Sequence, residues 1–198
     1  MNALPASRPA VFLDRDGTIL DLVPYLHDAG RVRLVPGAAR ALLRLGEAGY
    51  ARIVVSNQSG IARGFFDEAA VERVHARMLE LLRAGGADLE GIEICPHHPD
   101  FTGDCECRKP APGMLRRAAE RLAIDLPSSW VVGDRLEDLA AGSPLGCRGI
   151  LVRTGYGREE EAKIPSRERD NVLFVADDLG QAVEWLLALP ARQRGESR

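Results

Sequence analysis

Short apolar runs alternate with amphipathic stretches along this chain, and four of the runs end in a polar group capable of chemistry. Ala10–Leu13 leads into Asp14, Ile53–Val55 into Ser56 and Asn57, Ile92–Ile94 into a Pro/His/Cys-rich loop, and Trp130–Gly133 into Asp134. Gly149–Val152 and Val172–Val175 complete the candidate strands. Helical patterning falls between them, over Gly37–Ala48, Asp67–Ala84, Gly113–Ala123, from Leu136 to Ala141, and over Asp178–Leu189. The second is the clearest. Val71, Val74, Met78, Leu81 and Leu82 make one apolar stripe, Asp67 stands where a cap belongs, and Gly85-Gly86 stops it. Strands alternating with helices predict an α/β fold with a mostly parallel central sheet. Such sheets bind ligands beyond the carboxyl ends of their strands, so the four polar groups are expected on one edge.

At 198 residues the chain is expected to be one domain, by the rule of roughly 150 residues each. Its core is expected over about 10–190, with residues 1–8 and 191–198 as flexible termini. The net charge of −3 leaves no basic footprint for nucleic acid. No apolar run approaches the roughly 20 residues of a membrane span, and the first residues lack a secretory pattern. A cytoplasmic protein that binds neither membrane nor nucleic acid is expected. In a reducing compartment its cysteines read as metal ligands or buried thiols rather than disulfides.

The acids at the strand ends point to a hard cation. Asp14 and Asp16 lie two apart, on the same side if the strand continues. Two carboxylates held together need a cation or a shared proton, and Mg²⁺ with its preference for oxygen ligands suits them. Asp134 ends a later strand in the same manner and offers a third carboxylate. Asp138, one helical turn on, either orients a lysine or binds a metal water. Ser56 and Asn57 supply a hydroxyl and an amide suited to phosphoryl oxygens. Each motif alone is also an ordinary turn.

Three of the four cysteines cluster within 13 positions, as Cys95, Cys105 and Cys107. With His97 or His98 they make the Cys₃His set of a closed, structural Zn²⁺ site, which would order a loop with little core of its own. That loop delivers Arg108 and Lys109. Only Lys109 and Lys163 are lysines among 26 basic residues. A lysine directly after the metal loop therefore suggests a requirement for a compact charge, such as phosphate binding.

Taken in order, Asp14-x-Asp16-Gly17-Thr18, Ser56-Asn57, Lys109 and Gly133-Asp134-x₃-Asp138 resemble the motifs of the haloacid dehalogenase (HAD) superfamily, from Val11 to about Val152. Asp16 places the resemblance in the phosphatase branch. The runs Ser56-Asn57-Gln58-Ser59-Gly60-Ile61-Ala62-Arg63-Gly64 and Cys95-Pro96-His97-His98-Pro99…Cys105-Glu106-Cys107-Arg108-Lys109-Pro110 are similar to the heptose-1,7-bisphosphate 7-phosphatases and their histidinol-phosphatase-like relatives. The segment Ile19–Leu26 departs from that pattern, as do Ser56, where threonine is also usual, and Arg135, where lysine is common.

The resemblance implies a Rossmann-like, HAD-type sandwich with no large cap domain and one zinc-stabilised loop. It implies a Mg²⁺-dependent phosphatase acting on a small phosphorylated sugar through an aspartyl-phosphate, with removal of the C7 phosphate of heptose 1,7-bisphosphate as its reaction. Asp14 would be the nucleophile and Asp16 the acid and base, with Ser56 and Lys109 holding the phosphoryl group. Asn57, Gln58, Arg108 and Arg135 would bind substrate. Mg²⁺ would sit on Asp14, the backbone carbonyl of Asp16 and Asp134, and Zn²⁺ on Cys95, His97, Cys105 and Cys107. Histidinol phosphate or another small phosphomonoester is the alternative substrate, and a non-catalytic zinc-loop binding module the remote alternative. A monomer is expected, since no coiled coil is visible.

Overall fold

The computed structural model describes residues 7–164 and 172–190. Six strands form one parallel sheet: β1 (Ala10–Leu13), β2 (Ala51–Asn57), β3 (Gly91–Cys95), β4 (Trp130–Gly133), β5 (Arg148–Val152) and β6 (Val172–Ala176). The helices are α1 (Ala38–Glu47), α2 (Glu68–Ala84), α3 (Pro99–Thr102), α4 (Gly113–Leu122), α5 (Leu136–Gly142), α6 (Gly157–Glu161) and α7 (Leu179–Ala188). The strand order is β3-β2-β1-β4-β5-β6, the doubly wound arrangement. Chain direction across the sheet reverses between β1 and β4, so the crevice for ligands opens at the ends of those two strands.

The period-two alternation of β1 divides the core. Val11 and Leu13 join α1, α2 and α7 on one face through Leu42, Leu45, Val74, Met78, Val183 and Leu186. Ala10 and Phe12 join α4 on the other, through Met114, Leu115 and Ala118. Both faces of the central strands are covered, which is why their sequences read as continuous apolar runs rather than alternations. Asp67 caps α2 by accepting the Ala70 N–H at 2.8 Å, as its position in sequence predicts.

Three differences from the sequence reading have simple causes. Strand β2 runs on through Ser56 and Asn57, because the edge strand β3 pairs with it as far as Cys95. Helices α3 and α6 are too short to carry an apolar period, so nothing in the sequence announced them. Arg8 is tied down: its N–H donates to Ala123 and its carbonyl accepts from Asp125, at 3.2 and 3.0 Å. The expected loose start therefore ends before it. The rest of the expected termini, 1–6 and 191–198, lies outside the described residues. Between Gly17 and α1 the chain forms only short bridges and one 3-10 turn at Ala29–Arg31, with no cap domain. Among the described residues, no helix is long and apolar enough to cross a membrane.

Candidate active site

The structure brings the acids of two sequence segments to one point. Asp14 follows β1, and Asp134 and Asp138 follow β4. One carboxylate oxygen from each lies within 4.8 Å of the others. Lys109 Nζ, from the segment after the Cys/His loop, donates to Asp14 Oδ1 at 2.6 Å, to Asp138 Oδ1 at 2.7 Å and to the Val55 carbonyl at 2.7 Å. All three donor hydrogens of the ammonium are used, and the side chain is buried. Burial alone would lower its pKa, but the carboxylates of Asp138 and Asp14 prevail and hold it above the usual lysine range. Asp138 also accepts the Arg135 N–H at 3.0 Å, so it both caps α5 and orients Lys109. Of its two expected roles, the geometry favours orienting Lys109 over binding a metal water.

Asp134 sits in a tight backbone cradle. Its Oδ2 accepts the Tyr156 N–H at 2.8 Å. Gly17, at φ +92°, and Gly155, at φ +56°, close over it, and a Cβ on either would come within 2.3 or 2.0 Å of Oδ2. Burial, then the charge of Asp14, pushes the Asp134 pKa up to about 8. Burial likewise raises Asp138 to about 7, against the pull of Lys109. One buried ammonium among three carboxylates leaves negative charge unbalanced, and a divalent cation with oxygen ligands fits this donor set. Gly155 and Tyr156 were not singled out in the sequence. Their one available signal was position, since they follow strand β5 on the same edge.

Asp16 does not stand beside Asp14 on a continuing strand. The chain turns at Gly17, and the Asp16 side chain pairs with Arg15 Nη2 at 2.8 Å and with Gln58 Nε2 at 3.1 Å. Asp14, Asp134 and Asp138 form the carboxylate cluster, and Asp16 lines the same cleft as Asp14.

The amides near the end of β2 are also committed. Asn57 donates to the Lys109 carbonyl at 3.2 Å and accepts the Lys109 N–H at 3.1 Å. Gln58 donates to Ser56 Oγ at 2.8 Å and to Asp16, and accepts from Arg15 at 3.1 Å. Both were expected to bind substrate. Both line the cleft, and within it their hydrogen bonds hold Lys109, Ser56 and Asp16.

A cleft of about 300 Å³ opens over Asp14, lined also by Asp16, Ser56 and Lys109. Arg63, Arg108 and Arg135 line it too. None of the three forms an ion pair with a carboxylate among the described residues. Arg108 donates to the His97 carbonyl at 3.3 Å, and Arg135 lies over the Tyr156 ring at 4.1 Å. Arg63 stacks over Phe101 at 5.0 Å, sits 2.7 Å from His98 Nε2, and keeps a buried Nε without a partner. Arg63 lies within the Ser56–Gly64 run, where the sequence does not distinguish it from the chain's many other arginines.

The loop between β3 and α4 gathers Cys95, His97, Cys105 and Cys107. The sulfurs are 3.0 to 3.6 Å apart, and His97 Nδ1 lies 3.2 Å from Cys107 and 3.8 Å from Cys95. Tetrahedral Zn²⁺ with Zn–S bonds near 2.3 Å places its sulfurs about 3.7 Å apart, so this set closes on the ion with small adjustments. His98 turns away to Arg63, which separates the two candidate histidines. Burial and the neighbouring Cys107 thiol keep Cys95 above the ordinary thiol range.

Comparison with known proteins extends this picture. A family model described as HAD-hydrolase-like matches residues 106–182. The chain is 45% identical over 162 residues to the D-glycero-beta-D-manno-heptose-1,7-bisphosphate 7-phosphatase of Photorhabdus laumondii, covering 78% of this chain and 86% of that one. It is 43% identical over 185 residues to the enzyme of the same name from Escherichia coli strain K12, covering 90% and 95%. Its fold is similar to the crystal structure of D,D-heptose 1,7-bisphosphate phosphatase from B. bronchiseptica complexed with magnesium and phosphate. That match has a TM-score of 0.82 at 37% identity, over 90% of this chain and 98% of that one. Identity at this level over most of the chain, joined to the acid–lysine cluster at the strand ends, shows that the chain belongs to the D-glycero-β-D-manno-heptose-1,7-bisphosphate 7-phosphatase family of HAD-like phosphatases.

Proposed function

We propose that this chain removes the C7 phosphate of D-glycero-D-manno-heptose 1,7-bisphosphate, with Asp14 as nucleophile and Mg²⁺ as cofactor. The observation that carries the reading is the pairing of a pinned carboxylate with an open cationic rim. Asp14 is held by Lys109 at the floor of the cleft, while Arg63, Arg108 and Arg135 face the same space without carboxylate partners among the described residues. A substrate with one phosphate at the floor and a second at the mouth uses both.

In the first step an Asp14 oxygen bonds to phosphorus, and the bond from phosphorus to the C7 oxygen breaks. Asp16 gives its proton to that departing oxygen. In the second step a water loses a proton to Asp16 and attacks phosphorus, and the Asp14–phosphorus bond breaks. Ser56 Oγ and Lys109 Nζ hold the phosphoryl oxygens, and Asn57 and Asp138 hold Lys109. Mg²⁺, held by Asp14, the Asp16 carbonyl and Asp134, supplies neutralisation of phosphoryl charge. Zn²⁺ on Cys95, His97, Cys105 and Cys107 is structural in this reading. It fixes the loop that carries Arg108 and Lys109. The chain acts as one catalytic domain, a cytoplasmic monomer.

The test is Mg²⁺-dependent phosphate release across both anomers of heptose 1,7-bisphosphate, fructose 1,6-bisphosphate and histidinol phosphate. The reading predicts a strong preference for one heptose anomer. Preference for histidinol phosphate would keep the chemistry and overturn the substrate.

A further inference from the structure

We infer that Arg15, the residue between the two motif aspartates, is a positioning residue for proton transfer, holding the Asp16 carboxyl in one orientation in the cleft. The inference rests on the acid and base role proposed for Asp16. Arg15 is fully buried, and Asp16 is its one carboxylate partner among the described residues. A buried guanidinium loses its hydrogen bonds if its acceptor moves away, so these contacts hold the Asp16 carboxyl in place whether or not it carries the proton. Asp16 itself remains at the cleft wall, with its side chain 21% exposed.

The guanidinium is fixed by further partners. Nη1 meets His75 Nε2 at 3.1 Å, and Nη2 donates to Gln58 Oε1 at 3.1 Å. His75 belongs to α2 and Gln58 follows β2, so two separate elements brace Arg15. Gln58 in turn donates to Asp16 Oδ2 at 3.1 Å. The donors crowd one oxygen. Asp16 Oδ2 takes Arg15 Nη2 at 2.8 Å, Arg15 Nε at 3.1 Å and Gln58, whereas Oδ1 has only a 3.2 Å contact from Nε. The geometry thus assigns Oδ1 as the oxygen that carries the proton. As the bond from phosphorus to the leaving oxygen breaks and the bond to Asp14 forms, the proton on Oδ1 passes to that leaving oxygen.

A leaving-group series tests this. kcat/KM reports the first irreversible step, in which the leaving group departs. p-Nitrophenyl phosphate releases a stable anion and needs little protonation, whereas phenyl phosphate and the heptose bisphosphate need progressively more. Arg15→Lys keeps the charge but loses the planar fork, and His75→Leu removes only a brace on Arg15. We expect Arg15→Lys to lower kcat/KM about 100-fold on the heptose ester and by less than about threefold on p-nitrophenyl phosphate. His75→Leu should steepen the leaving-group dependence in the same direction, by about 5-fold at the heptose end. If Arg15→Lys does not fold, His75→Leu decides the matter alone. Equal losses along the series, or none, overturn the inference while leaving the phosphatase reading intact. A wild-type protein inactive on every ester overturns that reading, and the inference with it.

Discussion

Lys109 Nζ lies 2.6 Å from Asp14 Oδ1, a contact between residues 95 apart in sequence and buried beneath the cleft. In the proposed mechanism the pair orients Asp14 as nucleophile and supplies a cation for the phosphoryl group. It also makes the two halves of the site interdependent, because Asp14 leaves β1 and Lys109 leaves the Cys/His loop.

Removing the ammonium should therefore cost stability as well as rate. Lys109→Met leaves Asp14 and Asp138 buried without their counter-charge. We predict a loss of about 3 kcal/mol in urea unfolding of the metal-free protein. The double change Lys109→Met with Asp138→Asn should recover part of it, because one uncompensated charge is gone. A single variant as stable as wild type would contradict the burial argument.

Gly155 is a second point of leverage. A methyl group there would meet Asp134 Oδ2 at 2.0 Å, on a backbone already at φ +56°. Gly155→Ala should displace Asp134 and weaken Mg²⁺ binding by about 10-fold or more, as titration calorimetry would read it. Unchanged Mg²⁺ affinity in a folded variant would place the ion away from Asp134.

The Cys/His cluster predicts one tightly held zinc per chain. Elemental analysis of protein purified without chelator should find it, and Cys107→Ser should lower both the zinc content and the melting temperature. Full-length protein with no zinc and four freely titrating thiols would reject the assignment.

His75 predicts a pH effect on stability. Burial, then the charge of Arg15, lowers its pKa from 6.5 to about 4. Below pH 6.5 the unfolded chain takes up a proton that the folded chain refuses until about pH 4. The stability from the neutral ring is complete above pH 6.5 and falls through that window, by at most about 1.4 kcal/mol per pH unit. Urea midpoints of wild type should thus decline faster than those of His75→Asn between pH 6.5 and 4. Parallel curves would contradict it.

The sheet and its working edge were legible in the sequence because β1, β2 and β4 are apolar runs that stop at Asp14, at Ser56-Asn57 and at Asp134. The Cys/His loop was legible from the clustering of three cysteines beside two histidines. What stayed hidden depended on contacts between distant segments. Asn57 and Gln58 are ordinary loop formers until β2 is seen to bring them to Lys109 and Asp16. Arg15 and Arg63 carry no pattern among so many arginines; the first is marked by complete burial and the second by its stacking on Phe101. Gly155 gains meaning only from its contact with Asp134. Spacing alone left His97 and His98 equal; the family resemblance pointed to His97, and side-chain direction agrees with it.

The most direct test of the account compares Mg²⁺-dependent phosphate release from heptose 1,7-bisphosphate by wild type and Asp14→Asn, with folding checked by circular dichroism. The substitution keeps the size of the side chain and removes the attacking carboxylate. The account predicts a loss of about 10⁴-fold or more in a protein that remains folded. Residual activity within about tenfold of wild type, in a preparation free of contaminating phosphatase, would contradict Asp14 as the nucleophile.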